Sequence, residues 1–361
     1  MLSAAIALAT RLPRNGAGLL IADELKRQAL ARRLLQRAVA NGQMRLPAVP
    51  AMLDDYQAMC EQTFAALGVE FNPDQRAHLR ATLEGQLAVA YAASSRSEIV
   101  INYEKPTGKE VTYHVKAEWL SVEATYDAWV ATREPPYFGT APDARVWALA
   151  GEAVDSGRCP VLDIGAGTGR NVLALARRGH PVDAIEMTAK FADAIRAEAE
   201  RESLVIRVFE RDVFATFEDL RHDYQLIVLS EVVSDFRTTM QLRRMFDIAA
   251  ECLAPGGRLV FNVFLPRIGF TPDFAARQLG QQVFTAIFTY PEVATAAAGL
   301  PLEFVADDSV HNYEKRHLPE TAWPPTSWYV NWVSGCDVFD LPREQSPIEL
   351  RWLVYRKIGS G

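Results

Sequence analysis

Val161-Leu-Asp-Ile-Gly-Ala-Gly-Thr-Gly169 decides how this 361-residue chain is read. A short apolar run ends in a turn with three glycines in five residues, and Arg170-Asn-Val-Leu-Ala-Leu-Ala176 continues at helical spacing. Glycines between a strand and a helix let the backbone turn tightly and leave space where a side chain would collide with a ligand. The spacing Gly165-x-Gly167-x-Gly169 is one residue shorter than the Gly-x-Gly-x-x-Gly of dinucleotide sites, and no Lys-Ser/Thr pair follows as in a P-loop. Hydride transfer and phosphoryl transfer both lose ground.

Working outward, short apolar runs at 160–164, 182–186, 205–209, 224–229 and 257–264 alternate with helical stretches near 169–178, 189–201 and 237–253. Gly179 closes the first of these as a C-terminal cap. The alternation predicts βαβ crossovers and a parallel sheet with helices on both faces. Asp163 lies inside an otherwise apolar strand, where a carboxylate is costly unless donors face it. Glu186 ends the next strand, where an acid can accept both ribose hydroxyls of a nucleotide. Asp212 follows the third and could accept from an adenine amino group. Each acid alone is more often a surface or capping residue. Together they line the crevice at the carboxyl ends of the strands.

On these residues, the span 159–265 resembles the core of the class I S-adenosylmethionine-dependent methyltransferases. Val161–Gly169 looks like the family's first motif, Glu186 its ribose contact and Arg211-Asp212-Val213 its adenine contact. Tyr224-Gln-Leu-Ile-Val-Leu-Ser230 is similar to the fourth strand, and Leu253-Ala-Pro-Gly-Gly-Arg-Leu-Val260 to the turn into the fifth. The resemblance implies an α/β fold, a seven-stranded mostly parallel doubly wound sheet whose last two strands, 302–310 and 350–356, form a reversed hairpin. It also implies S-adenosylmethionine as cofactor, S-adenosylhomocysteine as product and no metal. The cofactor contacts would come from Asp163, Gly165, Ala166, Gly167, Gly169, Glu186, Met187, Asp212, Val213 and Ser230.

Length suggests a second module, placed at residues 1–120 before a transferase domain at 121–361. That module reads as mainly helical and ends in a β-hairpin. Asn72-Pro-Asp-Gln75 is a helix start with a capping box, after which Leu79, Leu83, Leu87 and Ala90 recur on one face. Ile99, Ile101 and Tyr103, then Val111, Tyr113 and Val115, alternate around Pro106-Thr-Gly108. Cys60 shares an apolar stripe with Leu53, Tyr56, Phe64 and Leu67 and reads as core. The module could be a lid, a homodimer interface or a docking surface.

The formal net charge of −7 disfavours nucleic acid. The basic cluster Lys26, Arg27, Arg32, Arg33 and Arg37 reads as a solvated helix face. Four widely spaced cysteines argue against zinc and disulfides. The apolar stretch at 5–10 lacks a basic flank and a cleavage site, and no run reaches membrane-spanning length, so the expectation is a cytoplasmic protein without a membrane partner.

The acceptor is less legible. Strand four ends in Ser230-Glu-Val-Val233, unlike the Asn/Asp-Pro-Pro-Tyr of enzymes that methylate planar amino groups. Glu134-Pro-Pro-Tyr137 lies upstream and reads as a proline-rich loop rather than a permuted motif. His311, Tyr313, His317, Trp323, Trp328, Tyr329 and Trp332 crowd one late segment around Pro324-Pro325. They could wall a substrate pocket, hold a cation or simply cover the sheet. Tyr126, Trp328, Tyr329 and Trp332 are candidate substrate contacts; Glu231, His311 and Tyr313 are candidate catalytic groups. The expected activity is methyl transfer to O, N or S of a small molecule. A peptide or protein methyltransferase and a non-catalytic S-adenosylmethionine-binding scaffold are the alternatives.

Overall fold

The computed structural model describes residues 20–108, 110–120, 122–214 and 219–359, with side chains 20–22 and 122–123 left aside. The apolar stretch at 5–10 lies outside the described residues. The chain divides into two units between Trp119 and Leu120.

The first contains α1 (Leu20–Arg37), β1 (Ala40–Pro47), α2 (Leu53–Ala66), α3 (Pro73–Ala93), β2 (Glu98–Lys105) and β3 (Thr112–Glu118). At the start of α3 the Asn72 side chain accepts from Gln75 N while Gln75 Oε1 accepts from Asn72 N, both at 2.9 Å. Leu79, Leu83, Leu87 and Ala90 are buried below it, with Cys60 and Phe64 opposite. Burial pushes the Cys60 thiol up to about 11, which leaves it an unreactive apolar group. The hairpin is present, but β1 adds a third antiparallel strand, paired along its whole length with β2. Its sequence, Ala-Asn-Gly-Gln-Met-Arg-Leu-Pro, has too few apolar residues to announce a strand. It extends because β2 offers a ladder, which is a non-local property.

The second unit runs α4 (Val122–Ala131), α5 (Ala144–Ala150), β4 (Val161–Ile164), α6 (Arg170–Arg177), β5 (Val182–Glu186), α7 (Ala189–Glu202), β6 (Ile206–Glu210) and β7 (Tyr224–Leu229). It continues with α8 (Thr239–Cys252), β8 (Leu253–Pro266), α9 (Phe274–Gln282), α10 (Tyr290–Ala297), β9 (Leu302–Ser309), α11 (Val310–His317), α12 (Tyr329–Val333), α13 (Cys336–Phe339) and β10 (Ile348–Lys357). The strands form one sheet in the order β6-β5-β4-β7-β8-β10-β9, with β10 antiparallel to both neighbours. This is the seven-stranded, mostly parallel sheet with a reversed last hairpin that the sequence implied.

Alternation along the strands divides the core in two. Leu162, Ile164, Ile227 and Leu229 join the apolar cluster on one face, while Val161, Leu226 and Val228 join the other. Gly179, at φ +93, ends α6 in a Schellman turn: its N–H reaches Ala176 O at 2.9 Å and His180 N reaches Leu175 O at 3.2 Å. The strand order reverses at β4, between β5 and β7, which opens a crevice at their carboxyl ends. Among the described residues no helix is long and apolar enough to cross a membrane.

Candidate functional site

The glycine turn leaves β4 at that crevice. Gly165, Gly167 and Gly169 have φ of +72, +54 and +89, which L side chains rarely adopt. A β-carbon on Gly165 would lie 2.3 Å from Val232 Cγ2, so the residues after β7 pack directly on the turn. Gly165 N and Ala166 N both donate to Ile185 O, at 2.8 and 3.1 Å, and tie the turn to β5. At the end of β5, Glu186 accepts from Gly167 N and Thr188 N, each at 2.8 Å. Burial raises the Glu186 pKa in spite of these two N–H groups.

Asp163 is 2% exposed. Burial first, then the charges of Asp143 and Glu186, push its carboxyl up to about 8, against the pull of Arg170. Its oxygens accept no hydrogen bond among the described residues, so the donors anticipated for this acid are not found there. Asp212 is exposed and accepts from Phe214 N at 2.9 Å, so it closes its own turn. Val213 is buried in the core, Met187 is exposed, and Ser230 donates to Asp143 at 2.7 Å.

Beside the turn lies a buried ionic network. Arg170 Nη1 contacts Asp143 Oδ1 at 2.9 Å, and Nη2 contacts Glu231 Oε1 at 3.0 Å. Asn171 Nδ2 donates to Asp143 Oδ2 at 2.9 Å. Glu314 of α11 caps α5 from 170 residues away, accepting from Ala144 N at 2.7 Å and Arg145 N at 3.2 Å, and also takes the Trp352 indole N–H at 3.0 Å. Burial pushes Glu231 and Glu314 each up to about 7. Asp143, Arg170, Asn171 and Glu314 were not singled out from sequence. One signal was available: Arg170 is the first residue of its helix, where a cation opposes the helix dipole unless carboxylates surround it.

A ring system stands over the turn. Trp129 of α4 stacks on Phe138 at 5.2 Å, and Phe138 would lie 3.5 Å from a β-carbon on Gly167. Trp328 meets Trp129, Tyr329 and Trp332 edge-on or tilted. Tyr126 packs edge-on to Phe191, and its hydroxyl donates to Asp235 at 3.0 Å. Trp129, on α4, and Phe138, in the loop after it, were missed because an isolated ring carries no periodic signal. Trp332 is a core residue, against Phe264 with its indole N–H on Phe284 O at 3.0 Å. Glu134 is exposed and Tyr137 packs on Trp129, so this stretch is a loop before a core of unpermuted order.

The three catalytic candidates do not converge. His311 and Tyr313 are two apart on α11 and point about 160° apart. His311 contacts Asn312 at 3.1 Å and the Trp323 ring, and burial lowers its pKa. Tyr313 packs against His317 and lies under the Arg145 guanidinium. Glu231 alone adjoins the glycine turn, through Val232 and Arg170.

Residues 161–257 match the family model for a methyltransferase domain. No curated protein matches the sequence. Among solved structures, the chain is similar to geranyl diphosphate C-methyltransferase from Streptomyces coelicolor A3(2), at 15% identity over 60% of this chain and 80% of that one, TM-score 0.45. It is also similar to a putative sarcosine dimethylglycine methyltransferase from Galdieria sulphuraria, at 15% identity over 66% and 99%, TM-score 0.47.

Proposed function

We propose that this chain, whose residues 161–257 belong to the class I S-adenosylmethionine-dependent methyltransferases, moves the methyl group to a small-molecule acceptor held between the glycine turn and the rings above it. The observation that carries the reading is the turn itself: three left-handed glycines at the reversal of strand order, with no room for a β-carbon at Gly165 and two buried acids, Asp163 and Glu186, at its sides. In this reading residues 121–361 form the transferase domain and residues 1–120 a separate module.

The residues present suit the cofactor. Glu186 would hold the ribose hydroxyls, and the Asp163 carboxyl, which accepts no hydrogen bond among the described residues, would meet a donor on the cofactor. When bound, the cofactor supplies a methyl group on a sulfonium, open to in-line attack. What remains for the protein is alignment of the acceptor and exclusion of water, tasks that Phe138, Trp129 and Trp328 are placed to perform.

Calorimetric titration with S-adenosylmethionine and S-adenosylhomocysteine tests the central reading, and absence of binding by both would overturn it. Incubation of cell extract with methyl-labelled cofactor, followed by size fractionation, tests the acceptor class. Label in the small-molecule fraction is expected; label confined to macromolecules would favour a peptide or protein acceptor.

A further inference from the structure

The geometry points to a cationic acceptor: an amine that enters protonated, lies beside the Tyr329 hydroxyl and the Glu231 carboxyl, and gives its proton to Glu231 before it is methylated. This rests on the methyl-transfer reading and narrows its substrate class.

Charge is the first ground. Asp143, Asp163, Glu186, Glu231 and Glu314 gather around one buried cation, Arg170, and both of its terminal nitrogens are already engaged. A carboxylate or phosphate acceptor would add to this negative excess, whereas an ammonium would relieve it.

Independently, Tyr329 is 2% exposed and its hydroxyl makes no hydrogen bond among the described residues, although Glu314, Asp143, Glu231 and Arg170 are its charged neighbours. A buried polar group without a partner points to a ligand that supplies one. The neighbouring indole of Trp328 offers a ring to a cation.

Glu231 is held for this task. It is a non-glycine residue at φ +62, a strained conformation that persists only where the surroundings impose it. Its N–H donates to Asn262 Oδ1 of β8 at 2.8 Å, and its carbonyl accepts from Ser234 Oγ at 3.0 Å. Val232, next in sequence, fills the space over Gly165. Oε1 rests on Arg170, and Oε2 accepts no hydrogen bond among the described residues. The groups facing Glu231 are Arg170 at the start of α6, Asp143 before α5, Tyr329 of α12 and Asn262 of β8. Burial and Asp143 raise its pKa while Arg170 lowers it, which leaves a carboxyl near 7.

The step balances. Glu231 carboxylate takes one proton from the ammonium, leaving a neutral amine with its lone pair free. That pair forms the new N–C bond as the methyl C–S bond breaks, and the sulfur keeps the bonding electrons as a thioether. The product leaves as an N-methylammonium ion, and Glu231 returns its proton to solvent.

The test uses the full chain saturated with S-adenosylhomocysteine and three probes of one shape: benzyltrimethylammonium, benzyl alcohol and benzoate. The ammonium probe has no proton to lose, so any pH dependence belongs to the protein. By calorimetry at pH 8.5 it should bind about tenfold tighter than the alcohol, with benzoate weakest. Its affinity should rise about tenfold between pH 6 and 8.5 as Glu231 ionises, and Glu231→Gln should reduce that rise to the smaller part that Asp163 and Glu314, which ionise in the same range, supply. Retained S-adenosylhomocysteine binding shows that the variant is folded, and the wild-type ranking decides the matter without it. Equal binding of alcohol or benzoate, no binding of the ammonium, or a pH rise undiminished in Glu231→Gln overturns the proposal. Failure of S-adenosylhomocysteine to bind the wild type would overturn the methyl-transfer reading first, and this one with it.

Discussion

The proposed cofactor wall of the cleft and its proposed acceptor wall differ in how the chain assembles them. The first comes from residues 163–169, 186 and 231–232, at the ends of three strands adjacent in the sheet, and is held mainly by backbone N–H groups. The second joins Phe138 and Trp129, before the sheet begins, to Glu314, Trp328 and Tyr329 near its last strand, and is held by ring contacts and buried charge. Arg170 belongs to both, since it follows the last glycine and pairs with Asp143 and Glu231. The contrast teaches that a site can have one wall dictated by motif and another by packing.

Arg170→Ala should break the contrast most severely. It strands two buried carboxylates, a change of roughly 3–5 kcal/mol in unfolding free energy. Denaturant titration measures it, and the double variant with Glu231→Gln should recover part of the loss. A loss below about 1 kcal/mol would mean that the two walls are not joined through this side chain.

Glu186→Ala comes next and acts on one wall only. Loss of charged hydrogen bonds, each roughly 1.5–3 kcal/mol, should weaken S-adenosylmethionine binding by tenfold or more in calorimetry. Trp328→Ala, on the opposite wall, should leave that affinity close to wild type. If both variants weaken it alike, the division into two walls fails.

The buried acids make stability depend on pH. Asp163, at about 8, and Glu231 and Glu314, at about 7, have folded pKa values above those of the unfolded chain, so the folded state binds more protons between about pH 4 and 8. Their contribution is full at acid pH and is lost as pH rises through 7 and 8. The apo protein should therefore melt a few degrees lower at pH 8.5 than at pH 6, and Asp163→Asn should flatten that slope in a thermal scan.

The smallest effects are expected from Tyr329→Phe and Asp212→Asn. Removal of an unpaired hydroxyl should leave stability unchanged within about 1 kcal/mol while weakening acceptor binding, a separation that pure packing would not produce. Asp212→Asn keeps an oxygen for Phe214 N, so it should change stability by a few tenths of a kcal/mol and cofactor affinity far less than Glu186→Ala.

How far these elements were legible follows from their range. The Asn72 capping box, the Leu79–Leu83–Leu87 face, the Gly179 cap and the five central strands rest on neighbours within a few residues, and they read correctly. The strand at 40–47 did not, because its partner lies 51 to 65 residues further on in the register Pro47↔Glu98 to Ala40↔Lys105. Asp212 and Tyr313 carry residue types suited to a site, but one caps its own turn and the other faces away from His311.

The amino-acid sequence alone determined the fold class, the glycine turn and the acids beside it, since a tight turn between strand and helix depends on backbone conformations that only particular residues adopt. Tertiary structure decided which acids cluster together. It joined Arg170 to Asp143 and Glu231, brought Glu314 to the start of α5, and left the Tyr329 hydroxyl without a hydrogen bond among the described residues. Those pairings depend on burial and on distances across the folded chain, and residue spacing encodes neither.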